Sequence, residues 1–435
     1  MESKNKFWKG ALVGALVTAF AGLIIVGIST GILLIGRTAI GSDLKAESSS
    51  SQDEENQLNV NRISGKVAAL QQLIDQYYLF DEDVQEVEDW IYKGMLYGLE
   101  DPYTAYYTAE EYATLTEETE GQYHGIGVMV SQDMNTGIIT VIQVFDGPAK
   151  EAGMKPGDIL YKVGDTEVSG MDLNLLVSDY IKGDDGTFVD LTVYRESSEE
   201  YIEMSVERRQ VEAETVECEM LADKTGYITV TQFDAVTTDQ FKEAVDDLEK
   251  QGMESLVIDL RNNPGGVLDT VVSMLDYMLP DDLVIEGDPD LERDQPEKTL
   301  LVYISDKRGE GTQYYCSDGH EVKVPVAVLV NDQSASASEV FAGAMKDYGK
   351  AEIVGVQTFG KGIVQTLFPL DNGTAVKMTT AHYFTPSGQD IHGKGIEPDV
   401  LVELNEELKS QLDIPTEEDN QLQEAIKVLV RESGE

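Results

Sequence analysis

The sequence predicts a multidomain chain of mixed α/β and α+β class, with a single amino-terminal transmembrane helix, a helical segment, a strand-rich unit and an α/β core. Three observations predict it. Residues 11–36 carry no charged side chain, short strand-like runs punctuated by glycine fill residues 114–208, and strand-like and helix-like apolar patterns alternate from Gly226 onward. At 435 residues the chain is too long for one typical domain, and 41% hydrophobic residues leave ample material for cores.

Residues 11–36, at ~1.5 Å per helical residue, exceed the ~30 Å of a bilayer core. Lys4, Lys6 and Lys9 precede the stretch while Arg37 and Lys45 follow it. That weak bias puts residues 1–10 in the cytoplasm and the large domain outside it, giving a single-pass cell-membrane protein. The stretch is too long, and too poor in small-residue cleavage sites, for a removed signal peptide. Residues 37–58, rich in Ser, Asp, Glu and Gln, read as a flexible linker.

In residues 59–113, Ile63, Val67, Leu70, Ile74 and Tyr77 recur at helical spacing, as do Val84, Val87, Ile91 and Met95. Two packed amphipathic helices are expected, closed by a turn at Asp101-Pro102-Tyr103-Thr104. Residues 114–208 hold strands near 125–130, 138–144, 159–163 and 189–195, with a helical piece at 173–181. Residues 209–435 alternate strands near 227–230, 256–260 and 324–330 with helices carrying Phe241, Val245 and Leu248, then 267–279, then one opening near Ser336. Thr416 with Asp419 suits the start of a last helix, whose apolar face uses Leu422, Ile426 and Leu429. The acidic stretch 281–298, with Pro289 and Pro296, reads as a surface insertion.

The 81 acidic against 32 basic residues give a net charge of −49, which repels phosphate backbones and excludes nucleic acid as a partner. Cys218 and Cys316 read as structural, either free or paired. No His-x-x-x-His or Cys-x-x-Cys run is present, so neither a metal nor another cofactor is expected.

The chemistry lies in Ser336, within Asn331-Asp332-Gln333-Ser334-Ala335-Ser336-Ala337-Ser338-Glu339, and Lys361, within Phe359-Gly360-Lys361-Gly362-Ile363-Val364-Gln365. A serine hydroxyl attacks poorly until its proton is removed, and an uncharged lysine amine can remove it. Free lysine titrates near ~10.4, so the Lys361 amine must be lowered by roughly 3 units, which burial can supply. Ser336 falls at a strand-to-helix junction, where the N–H of Ala337 can face a developing oxyanion. A second donor would come from Gly265 or Gly266, and the sequence does not separate the two. A Ser-His-Asp triad is the chemical rival, yet none of His124, His320, His382 and His392 sits in a recognisable triad motif.

Ser-Ala-Ser-Ala-Ser-Glu, the Gly-Lys-Gly lysine and Leu260-Arg261-Asn262-Asn263-Pro264-Gly265-Gly266 together resemble the carboxyl-terminal processing peptidases, also called tail-specific proteases, over roughly residues 60–430. The resemblance implies a crotonase-like core, Ser336 rather than Ser334 or Ser338 as nucleophile, and Gln365 as the residue that orients Lys361. It further implies a homodimer built partly through the helical region, and Asp101-Pro102-Tyr103-Thr104 matches a family signature. Residues 114–208 resemble a PDZ domain, which adds an extended peptide to a sheet edge. Its carboxylate-binding loop would be Tyr123, His124, Gly125, Ile126 and Gly127. The implied function is a membrane-anchored serine endopeptidase that captures exposed carboxyl termini of proteins or peptides and cleaves through an acyl-enzyme. A PDZ adaptor or sensor on a catalytically silent protease-like core is the alternative, against which intact Ser336, Lys361 and Gln365 argue.

Overall fold

The computed structural model describes residues 57–133, 136–285, 291–409, 411 and 414–432. Helix α1 (Val60–Tyr77) starts where the Asn59 side chain accepts the Arg62 N–H at 2.9 Å, and α2 (Val84–Tyr97) starts where Asp83 accepts the N–H groups of Gln85 and Glu86. Both helices lie where the spacing predicts them. Their expected packing fails: no residue of either is buried, and Leu70, Leu73, Trp90 and Met95 stay exposed. Strand β1 (Ala105–Tyr107) then leads into α3 (Ala109–Glu120), closed by a Thr108–Glu111 capping box and by Gly121 at φ 66°.

The expected membrane span is corrected at this point. No helix among the described residues is long and apolar enough to cross a membrane. The longest, the 18-residue α1, spans only about 27 Å at 1.5 Å per residue and carries Arg62, Lys66 and Asp75. The fold class of the described residues therefore contains no transmembrane helix, and the expected membrane localisation finds no support among them. Residues 1–56, on which the amino-terminal, anchor and most of the linker assignments fell, lie outside the described residues.

The strand-rich unit contains β2 (Gln122–Gly125), β3 (Val128–Gln132), β4 (Ile139–Val144), α4 (Pro148–Glu151), β5 (Ile159–Val163) and β6 (Thr166–Glu167). It continues with α5 (Leu173–Leu175), extended as a π-helix over Leu176–Ile181, then β7 (Phe188–Arg195), β8 (Glu200–Glu207) and β9 (Arg209–Glu212). An antiparallel sheet ordered β3-β4-β5-β7-β8, with β6 on β5, closes over Ile139, Val141, Leu160, Leu191 and Val193. The chain enters and leaves this unit through a separate antiparallel ribbon, β2 on β9, registering Gln122 with Glu212.

The core begins with β10 (Val216–Met220) and β11 (Thr225–Val230), then α6 (Thr237–Gln251), β12 (Ser255–Asp259), α7 (Leu268–Met278), β13 (Leu300–Asp306) and β14 (Gln313–Tyr315). It goes on through β15 (Val326–Val330), α8 (Ala337–Asp347), β16 (Glu352–Gly355), β17 (Ile363–Pro369), β18 (Ala375–Phe384), β19 (Val400–Leu401) and α9 (Asn420–Glu432). One sheet runs β10-β11-β12-β15-β16-β19, parallel except for β10. Both faces of its central strands are covered, which explains their unbroken apolar runs. Leu256, Ile258, Val326 and Val328 pack with α6, α7 and α8, whereas Val257, Ala327 and Leu329 pack with α9. A second antiparallel sheet, β1-β18-β13-β14 with β17 on β18, has no counterpart in the sequence reading.

At the end of β12, Arg261 bonds Asp259 at 2.5 Å and Asp419 at 2.7 Å. Asp419 also accepts the N–H groups of Gln421 and Leu422, each at 3.0 Å, so Asp419 rather than Thr416 caps α9. The guanidinium ties the carboxyl-terminal helix to the strand that leads into the glycine-rich turn. Removing it leaves two buried carboxylates facing each other. Arg261→Ala is expected to lower unfolding free energy by about 3–5 kcal/mol in urea titrations followed by circular dichroism.

Candidate active site

Parallel strands β12 and β15 deliver two turns side by side: 260–266 after β12 and 331–336 after β15. Asn263 stitches them together. Its Nδ2 donates to Val230 O at 2.7 Å, its Oδ1 accepts the Gly265 N–H at 2.8 Å, and its backbone oxygen accepts Ala335 N and Ser338 Oγ. Ser334 Oγ donates to Leu260 O at 2.7 Å. Ser334 and Ser338 are thus both buried and occupied in structural bonds. Ser336, between them, has its hydroxyl beside the Tyr383 phenol, within hydrogen-bond reach.

Ser336 caps α8 with φ 55° and ψ −113°. A side chain at positive φ is strained, by about 1–3 kcal/mol, and such strain persists only where the surroundings enforce it. Gly265, at φ 104°, permits the turn to close: a Cβ there would lie 2.6 Å from Ala335 O and 2.8 Å from the Ser336 Cβ. A Cβ on Gly266 would lie 2.2 Å from the Phe233 Cβ. Of the two glycines, Gly265 already gives its N–H to Asn263. Among the described residues the N–H groups of Gly266 and Ala337 have no recorded acceptor.

Glu339, the third residue of α8, is wholly buried at 0% exposure and accepts four hydrogen bonds. Its Oε1 takes Thr358 Oγ1 at 2.6 Å and Gly360 N at 2.7 Å, and its Oε2 takes Lys361 N at 2.8 Å and Ser336 N at 2.9 Å. The backbones of Ser336 and Lys361 therefore hang on one carboxylate. Burial raises the Glu339 pKa, opposed by these bonds. Gly362 lets the loop pass close to its neighbour, since a Cβ there would fall 2.2 Å from His392 N.

Lys361 is only 4% exposed, and burial lowers its amine to about 8 against the pull of Glu339 and Asp101. Its Nζ stands 4.7 Å from the centroid of the Tyr103 ring. Ser336, 5% exposed, neighbours the phenol of Tyr383, itself fully enclosed. Among the described residues no hydrogen bond joins the Ser336 hydroxyl to Lys361 Nζ. Gln365 is buried, yet its Nε2 donates to Ile363 O at 3.3 Å rather than to the lysine. None of the four histidines hydrogen-bonds Ser336; His320 is engaged with Tyr277 O, while His382 faces Asp390. Both cysteines are free thiols.

In the strand-rich unit, Tyr123, Gly125, Ile126 and Gly127 line a cavity of about 50 Å³ together with Val128, Met154, Leu176 and Lys182. His124 is exposed and lies outside that lining. Sequence reasoning missed Glu339 as a hub, although it stood in the serine motif, and missed Tyr103, in the turn before β1, and Tyr383, on β18, which reach the site from distant positions.

A model of peptidase family S41 matches residues 224–402, and a PDZ-domain model matches residues 125–206. A probable CtpA-like serine protease of Staphylococcus epidermidis is 34% identical over 377 residues, covering 86% of this chain and 72% of that protein. The chain belongs to peptidase family S41. A second such relative, from Staphylococcus aureus, is 34% identical over 348 residues, covering 80% of this chain; the chain spans 65% of that relative's length. A solved photosystem II D1 C-terminal processing protease is 30% identical, with 77% of this chain and 86% of that one aligned at a TM-score of 0.43. In this S41 chain the family match spans Ser336 and Lys361, and the PDZ match spans most of the cavity lining.

Glu339→Gln keeps the shape but sets an amide N–H₂ against donors. It is expected to cost about 1–3 kcal/mol of stability, read by thermal unfolding. Loss of the carboxylate charge should also lower the Lys361 pKa further, since that charge raises it.

Proposed function

We propose that this S41 chain is a serine endopeptidase in which Ser336 attacks the peptide carbonyl and Lys361 takes the hydroxyl proton. The near-complete burial of the Lys361 amine, on a loop bonded through Glu339 to the nucleophile's own helix start, carries the reading. A carbonyl over Ser336 would receive the N–H groups of Ala337 and Gly266, the latter favoured because the Gly265 N–H is spent on Asn263. Attack would give a tetrahedral oxyanion and then an acyl-enzyme, with the proton passed from Lys361 to the leaving amine; water would release the acyl group by the reverse route. Gln365 would help steer the amine. For the first proton transfer the Lys361 amine must swing from the Tyr103 ring to the serine hydroxyl.

Substrates would be polypeptides with exposed carboxyl termini, held at the PDZ cavity by the backbone of residues 123–127. One observation favours the other reading, a silent PDZ adaptor: the lysine rests on Tyr103 instead of the serine. Cleavage separates the two.

Incubating the full chain with an unfolded protein should give fragments that Ser336→Ala and Lys361→Arg do not produce, arginine being permanently protonated. Equal cleavage by the Ser336 variant would remove the proposed nucleophile, and an inert wild-type chain would leave the adaptor. kcat/KM should rise with pH through about 8 as Lys361 loses its proton, and fall tenfold per unit below it. Amidating the substrate's carboxyl terminus should raise KM.

A further inference from the structure

The Lys361 amine and the Ser336 hydroxyl each rest against a tyrosine. Lys361 Nζ stands over the Tyr103 ring face, 4.7 Å from its centroid, while the serine hydroxyl neighbours the Tyr383 phenol. The main chain on both sides is fixed, since Glu339 holds Ser336 N at 2.9 Å and Lys361 N at 2.8 Å. Only the flexible stem of the lysine is left to carry the amine to the hydroxyl.

The ring is fixed as well. Asp101 Oδ1 accepts the Tyr103 N–H at 3.0 Å, Asp101 Oδ2 accepts the Thr104 hydroxyl at 2.6 Å, and Asp101 O accepts the Thr104 N–H at 3.2 Å. Thr104 Oγ1 in turn accepts the N–H of Thr379 at 3.1 Å, on β18 opposite Gln365 of β17. The turn before β1 is thereby pinned to the two strands that follow Lys361, and it carries Tyr103 to the amine.

A ring face attracts a cation through its quadrupole, more strongly where water is excluded, and attracts a neutral amine far less. Among the described residues no carboxylate pairs directly with Lys361 Nζ, although Asp101 on the turn and Glu339 on α8 both act on it and Lys377 on β18 feels its charge. The hold of the ring therefore comes and goes with the proton.

We infer that Tyr103 is a positioning residue for the proposed dyad: its ring face keeps the Lys361 amine away from Ser336 while the amine is charged, and releases it to the serine hydroxyl once the proton has left to solvent. The inference rests on the Ser336–Lys361 reading. Approach to the serine is thus coupled to the form of the lysine that can act as a base. No atom of Tyr103 need touch substrate.

Two measurements test it. The first is the pH profile of kcat/KM for the full chain, Tyr103→Phe and Tyr103→Leu, with folding checked by thermal unfolding. Phenylalanine keeps the ring face and should leave the acid limb in place. Leucine keeps an apolar cover without the quadrupole, so the charged amine loses its support. The limb should then move down by roughly one pH unit, about a tenfold gain in kcat/KM below it. A purely structural role would lower kcat/KM evenly across pH. A limb that stays or rises in folded Tyr103→Leu, or that moves equally in Tyr103→Phe, overturns the inference.

The second leaves Tyr103 unchanged, so it stands even if Tyr103→Leu fails to fold, and it does not read activity. In Ser336→Ala, the ε-methylene protons of Lys361 should show the upfield NMR shift of a group over a ring face below the amine's midpoint, and lose most of it above. A shift that is absent from the charged amine, or constant through the titration, overturns the inference without touching the dyad. Retained cleavage by Ser336→Ala or Lys361→Arg instead overturns the dyad reading, and the inference falls with it.

Discussion

One carboxylate governs the geometry of this site. Glu339 sits inside the protein with no exposed surface and spends both oxygens on N–H and O–H donors from the two segments that matter, the start of α8 and the loop at 358–361. A buried anion without donors would be very costly, and donors at a strained turn without an anion would be orphaned. Each solves the other's problem. The positive φ of Ser336 persists because its N–H is held by this carboxylate while Gly265 and Asn263 close the opposite side.

The electrostatics around Lys361 balance two opposed demands. For the proposed dyad the amine must be hidden deeply enough to lose its proton, yet any nearby anion works against that. Glu339 and Asp101 are such anions, and burial outweighs them. The chain's net charge of −49 has little say in this, since exposed charges are screened beyond about 10 Å. What does reach the amine is local: the Tyr103 ring beside it and the carboxylates of Glu339 and Asp101.

Much of this was legible in the sequence because it is local. Strand β15 was readable from an apolar run bounded by turn residues, α8 from the serine cluster at its start, and the Gly265 turn from bare glycine. The PDZ-type unit was readable from its ordered strands and glycines. What escaped depends on contacts between remote positions. Lys377 meets Tyr107 across 270 residues, and Thr379 N meets Thr104 Oγ1 across 275. No periodicity announces such pairings. Glu339 was visible as a letter in a motif, but its partners at 358, 360 and 361 come from another strand connection. The sheet formed by β1, β13, β14, β17 and β18 was missed for the same reason. The apolar spacing of α1 and α2 predicted helices correctly and burial wrongly, because periodicity states which face is apolar and not what covers it.

The central claim is that burial lowers the Lys361 amine far enough for it to lose its proton above about pH 8. Its titration can be followed by carbon–nitrogen NMR of the labelled side chain in a Ser336→Ala background, assigned by comparison with Lys361→Arg, where no turnover complicates the signal. A midpoint near about 8 is the predicted result. A midpoint at or above the free-lysine value of about 10.4 would contradict the account, because such an amine could not serve as the base.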